Sequence, residues 1–172
     1  MTATTTELCA EATPLLPGQV EVRETGEGRF ANIVRVDGHC LFADEPESSG
    51  GGDLGPSPYD YLLAGLGACT SMTLRMYAEQ KKWPLERVTV QLSQQRIHAE
   101  DCADCESGGA ARITEITREI SLEGPLSPEQ RTRLLEIAEK CPVHRTLTGE
   151  IKIRSRLLNS GLPHIQGKTP SS

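Results

Sequence analysis

The sequence predicts an α+β domain, and three observations carry the prediction. The segment from Ser57 to Trp83 repeats its apolar residues with helical spacing, while several segments on either side alternate apolar and polar residues. The elements also come in blocks, β-β-β-α-β-β-α-β, and not in the strict alternation of a doubly wound sheet. With 172 residues, 37% hydrophobic, the chain can bury one core, and with 3% aromatics that core is aliphatic. One domain over residues 18–158 is expected, between loose tails at 1–17 and 159–172.

The elements follow from local chemistry. Val20 to Arg23 and Phe30 to Val36 alternate as strands, with Gly26 and Gly28 marking the turn between them. Asp37-Gly38 is a hairpin signal, and His39 to Ala43 is the returning strand. The SSGGG stretch within Glu47 to Gly55 predicts a flexible connection. Ser57-Pro58 starts a helix as cap and first-turn proline, and Trp83-Pro84 stops it. Within that helix Leu62, Leu66, Cys69, Thr73 and Met76 recur at helical spacing, widened by Leu63, Met72 and Leu74, which predicts burial on most sides. Gly65 and Gly67 in its interior point to close approach by another backbone, because each costs about 1 kcal/mol relative to alanine. Val88 to Ile97 and Ile113 to Leu122 alternate and are expected to pair around the polar excursion from His98 to Ala110. Ser127-Pro128-Glu129-Gln130 opens a second helix, which ends at Lys140-Cys141-Pro142, and Gly149 to Leu158 is a last alternating strand.

Composition narrows the function classes. A net charge of −6 without a basic stripe argues against nucleic acid. The first residues have neither a positive stretch nor an apolar run, and no segment is long and apolar enough to span a membrane, so a cytoplasmic protein is expected. In a reducing compartment the six cysteines are read as catalytic, metal-binding or inert before they are read as structural disulfides.

Cys69 lies mid-helix among small residues, where a cysteine serves either as a small core hydrophobe or, given a partner thiol or cation, as a nucleophile. Arg75 and Arg145 are the charged candidates for that cation. Cys141 sits at a helix end before Pro142, and a helix opened by Pro142 would turn its amide dipoles toward the sulfur. His144 is either a base or donor for that site or a satisfied surface histidine. Cys102 and Cys105 form a C-x-x-C, a metal pair for zinc if His98 or a second copy completes the set, or otherwise two thiols in an acidic loop. Cys9 and Cys40 have no evident companion and are read as inert.

Two phrases, GPSPYDYLLAGLGACTSMTLRMYAEQKKWPL and EKCPVHRTLTGEIKI, resemble those of the OsmC/Ohr family, and the resemblance extends over roughly Val20 to Arg156. The stretch HAEDCADCE resembles an insertion of one OsmC-like branch. The resemblance implies an intertwined homodimer in which curved antiparallel sheets wrap central helices. It also implies a thiol peroxidase acting on organic hydroperoxides without a required cofactor. Cys69 matches the attacking thiol and Cys141 the resolving one, with a cellular dithiol as reductant. The same dimer holding an apolar ligand near Leu62, Leu66 and Met72, with idle thiols, is the rival reading. The chain departs from the family at two points. A glutamate follows the helix-start proline in the peroxidases, where this chain has Tyr59 and then Asp60. The segment before the helix also lacks the arginine that holds the thiolate in the OsmC branch, leaving Arg23, Arg29 and Arg35 as substitutes.

Overall fold

Residues 14–98 and 112–158 of the chain are described by a computed structural model. Three strands, β1 (Val20–Glu24), β2 (Asn32–Val36) and β3 (His39–Ala43), form an antiparallel meander in that order. The β2–β3 turn is Asp37-Gly38, both at positive φ, which is why an Asp-Gly pair closes this hairpin. The register Val34↔Leu41 and Ile33↔Phe42 places Ile33, only 1% exposed, on the buried face.

The connection to the first helix is ordered, contrary to the flexible linker expected from its glycines. A short 3-10 turn spans Glu47–Ser49. The buried Asp44 carboxylate accepts the N–H groups of Glu45, Gly52 and Leu54. Gly51 allows the chain to fold against Glu45, whose carbonyl oxygen would lie 1.8 Å from a Cβ at that position.

Helix α1 (Pro58–Lys81) starts with a full capping box: Ser57 accepts the Asp60 N–H, and the Asp60 carboxylate accepts the Ser57 N–H. It ends where Lys82 turns left-handed at φ 56° ahead of Trp83-Pro84. Its buried residues are Leu66, Gly67, Thr70, Leu74 and Ala78, a single stripe. At about 100° per residue, Leu62, Gly65, Cys69, Met72 and Met76 lie on nearly the opposite side. There Met72 and Met76 are 65% and 70% exposed. The expected burial on most sides therefore is not met within one protomer.

Strands β4 (Arg87–His98) and β5 (Arg112–Glu123) pair antiparallel along their whole length, from Arg87↔Glu123 to His98↔Arg112. Their inward rows cover α1 together with α2 (Pro128–Ala138), which opens with a second capping box, Ser127 and Gln130. Leu74, Ala78, Leu85, Leu126, Leu134, Ile137 and Ala138 form the core between these elements, with Trp83 and Tyr77 at its edge. Burying a leucine such as Leu74 or Leu134 contributes roughly 1.5–3 kcal/mol. A short third helix, α3 (Pro142–Leu147), follows directly.

The alternating segment from Gly149 to Leu158 does not form its expected strand. It has no regular structure, and Ile153 and Leu157 are 88% and 91% exposed. A strand exists only through hydrogen bonds to a neighbour, and neither sheet of the protomer supplies one here. The expected tails fall outside the described residues apart from Pro14 to Pro17.

Candidate active site

Two cysteines from distant parts of the chain are neighbours in the candidate site. Cys69 is half-buried on α1, and Cys141 is fully buried where α2 gives way to α3. Cys141 is the N-cap of α3, with Pro142 at the first helical position and the His144 N–H 3.4 Å from its sulfur. The helix that Pro142 was expected to open is thus present, and its amides do point at Cys141. Burial pushes the Cys141 thiol up, but the polar groups around its sulfur outweigh it and hold it below its ordinary 9.0: the His144 amide, then the Cys69 and Thr70 side chains and the Val143 amide.

Thr70, fully buried beside Cys69, gives its proton to the Leu66 carbonyl at 2.8 Å. It accepts from Arg118 Nη1 at 3.0 Å. The same Nη1 reaches the Ala138 carbonyl at 3.3 Å, and Nη2 pairs with Glu139 Oε1 at 2.6 Å. Glu139 Oε2 lies 3.2 Å from His144 Nε2. One guanidinium therefore links α1, the end of α2 and, through Glu139, α3. Beside this network is a cavity of about 410 Å³, lined by Leu66, Ile116, Arg118, Glu139, His144 and Leu147 among others.

None of the arginines considered from sequence contacts the thiols. Arg75 donates to the Leu85 and Glu86 carbonyls and ties α1 to β4. Arg145 is exposed, Arg35 pairs with Glu21 at 2.8 Å, and Arg29 lies over the Phe30 ring. Arg23 and its neighbours belong to the N-terminal meander. Arg118 was missed, although a signal for it exists. Ile116, Arg118, Ile120 and Leu122 occupy alternate positions of one strand, so the arginine stands in the inward row. Asp60 is taken up by the capping box and cannot stand in for the family glutamate.

Leu62 and Met72 are exposed while Leu66 is buried, so these three residues do not line one apolar pocket in the protomer. Gly67 is approached by a side chain and not by backbone: a Cβ there would sit 2.8 Å from Leu92 Cδ1. Cys40, read as inert, is disulfide-bonded to a partner outside the described residues. Cys9, Cys102 and Cys105 lie outside the described residues, as does the expected zinc pair. Among the described residues no group of three or more His, Cys, Asp or Glu could hold a metal, and no helix is long and apolar enough to cross a membrane.

Comparison with known proteins agrees with this architecture. The OsmC-like protein family model matches residues 50–156. Among solved structures, the organic hydroperoxide resistance protein OsmC of Legionella pneumophila superimposes with a TM-score of 0.57 at 22% identity, over 80% of this chain and 93% of that one. An OsmC-like protein of Mycoplasma pneumoniae gives 0.56 at 18% identity, over 78% and 90% of the two chains. OhrB of Bacillus subtilis, an organic hydroperoxide resistance protein, gives 0.53 at 18% identity, over 76% and 90%. A search of curated proteins gave no match. With a family match across more than half its length and the fold of these neighbours, the chain belongs to the OsmC-like protein family.

Proposed function

We propose that the protein acts in oxidative stress defence as a thiol-dependent peroxidase that reduces organic hydroperoxides, with Cys69 attacking and Cys141 resolving. The observation that carries this reading is that the two cysteines are neighbours, close enough for the Cys69 side chain to lower the proton affinity of Cys141. Their exposures support the division of roles. Cys69 is half-buried and can meet a peroxide, whereas Cys141 is fully buried and can meet only Cys69.

In the proposed cycle the Cys69 thiolate attacks one oxygen of the peroxide and the O–O bond breaks. The other oxygen leaves as an alcohol after taking a proton, and Cys69 becomes a sulfenic acid. The Cys141 thiolate then attacks that sulfur, the S–S bond forms, and hydroxide leaves as water after protonation. Hydrogen bonds that lower the Cys141 proton affinity favour the second step, because thiolate is the attacking species. A cellular dithiol returns two electrons and two protons, and the cycle uses no cofactor. The dithiol that closes the cycle is the kind of reductant a reducing compartment such as the cytoplasm supplies.

The same reading includes a second copy of the chain. The apolar side of α1 (Leu62, Met72, Met76) and the exposed Ile151, Ile153, Leu157 and Leu158 are surfaces that one protomer leaves uncovered. Apolar area of this kind marks an interface. A homodimer would cover both.

The adjoining cavity favours a second reading, a small molecule whose apolar part meets Leu66, Ile116 and Leu147 and whose polar part meets Arg118 or His144, with the thiols idle. Mass spectrometry of the reduced protein after stoichiometric cumene hydroperoxide separates the two. A rapid Cys69–Cys141 disulfide that vanishes in Cys69→Ser is expected. Unmodified thiols, or a bond confined to Cys102 and Cys105, would refute the peroxidase reading and leave the ligand site.

A further inference from the structure

We propose that the cavity between α1, β5 and α3 is a binding site for a small carboxylic acid. Arg118 holds the carboxylate, and Leu66, Ile116 and Leu147 hold an aliphatic chain. The inference deepens the ligand-site reading of this cavity and applies whether or not the thiols turn over peroxide. At about 410 Å³ the cavity falls within the range of small-molecule sites. Its lining contains neither thiol, and Cys141 is fully buried. Ile116 and Arg118 stand on one face of β5 because they alternate along the strand. His144 and Leu147, three residues apart, stand on one face of α3. Polar and apolar groups thus enter the same cavity side by side, as an amphipathic ligand requires.

The hydrogen bonds of Arg118 identify the polar end of that ligand. Its side chain is only 9% exposed, yet it lines the cavity. Its bonds to Thr70, the Ala138 carbonyl and Glu139 use at most three of its five N–H donors. At least two donors therefore have no protein partner among the described residues. A purely apolar occupant would leave them desolvated and unpaired, and a cation would meet the guanidinium's own charge. A carboxylate matches two adjacent N–H groups at once. Glu139 already shows the arrangement, with one oxygen 2.6 Å from Arg118 Nη2 and the other 3.2 Å from His144 Nε2. That side chain is 56% exposed, and an ion pair with so exposed a partner is weakly held. Glu139 can swing into solvent and yield its place between the two nitrogens to a ligand carboxylate. The chain of the ligand then lies on Leu66, itself 5% exposed, and on Ile116 and Leu147.

The test titrates the full-length reduced protein with octanoate, octanol and octylammonium. NMR follows isotope-labelled leucine and isoleucine methyls and arginine Nε. Octanoate is expected to move the Leu66, Ile116 and Leu147 methyls together with Arg118 Nε, and to bind roughly tenfold or more tighter than octanol. Arg118→Met should weaken octanoate by roughly tenfold or more and leave octanol within about twofold. Because Arg118 also ties α1 to α2, Glu139→Gln at the exposed rim provides a second arm that spares the core. Removing the competing carboxylate should tighten octanoate roughly two- to fivefold. Octanol or octylammonium binding as tightly as octanoate, or octanoate binding no tighter in Glu139→Gln, would overturn the proposal. No binding by any of the three probes would discard the ligand-site reading along with it. Neither result bears on the peroxidase cycle, because no peroxide is present.

Discussion

Gly65 on the uncovered side of α1 offers a direct reading of whether a second backbone packs there. A Cβ built at Gly65 meets nothing within 4 Å outside its own helix, so the protomer alone has room for alanine. Glycine costs a helix interior about 1 kcal/mol against alanine. In an isolated protomer Gly65→Ala should therefore raise the melting temperature by about 2–4 °C for a chain of this size. If the apolar sides of two copies of α1 pack together, the sign reverses. Added methyl groups in a close contact cost roughly 1–3 kcal/mol each, and a two-fold interface presents the change twice. Since 1.4 kcal/mol is about tenfold in an equilibrium constant, the dimer Kd should rise by roughly thirtyfold to ten-thousandfold. The assay is sedimentation equilibrium over a dilution series, paired with thermal unfolding at high and low protein concentration. Weakened association is expected. A higher melting temperature with an unchanged Kd would refute the argument that this glycine exists for close approach.

Two further outcomes follow from the core and the helix start. Leu74 of α1 is fully buried against α2 and the β4–β5 sheet, so Leu74→Ala should cost about 2–5 kcal/mol in denaturant unfolding. The Ser57 hydroxyl and N–H hold the Asp60 carboxyl below its ordinary 3.8, so its stabilising share is present above pH 3.8 and lost as pH falls through the lowered value. The stability difference between the wild type and Asp60→Asn, followed by acid titration, should accordingly shrink below pH 3.8.

Local chemistry made most elements legible. Ser57-Pro58 and Ser127-Pro128 marked both long helices because a capping box is satisfied within four residues. Asp37-Gly38 closed its hairpin because both positions need positive φ. The Glu47 to Gly55 connection was misread because its order comes from the Asp44 carboxylate, and three glycines in a row say nothing of a buried acceptor outside the run. The last alternating segment was misread for a related reason, since alternation describes a strand's faces but does not provide its neighbour.

The cysteine pair shows where that division falls. From sequence alone came the helix around Cys69, the helix start at Pro142, and the resemblance that joined the two thiols. These rest on spacing, caps and motif, all short-range along the chain. Only the tertiary structure showed Arg118 reaching Thr70 from β5 and Glu139 holding both Arg118 and His144. It also showed that α1 turns Leu62, Met72 and Met76 away from its own core. Those facts depend on which faces of separate elements meet in space. No local pattern contains that information.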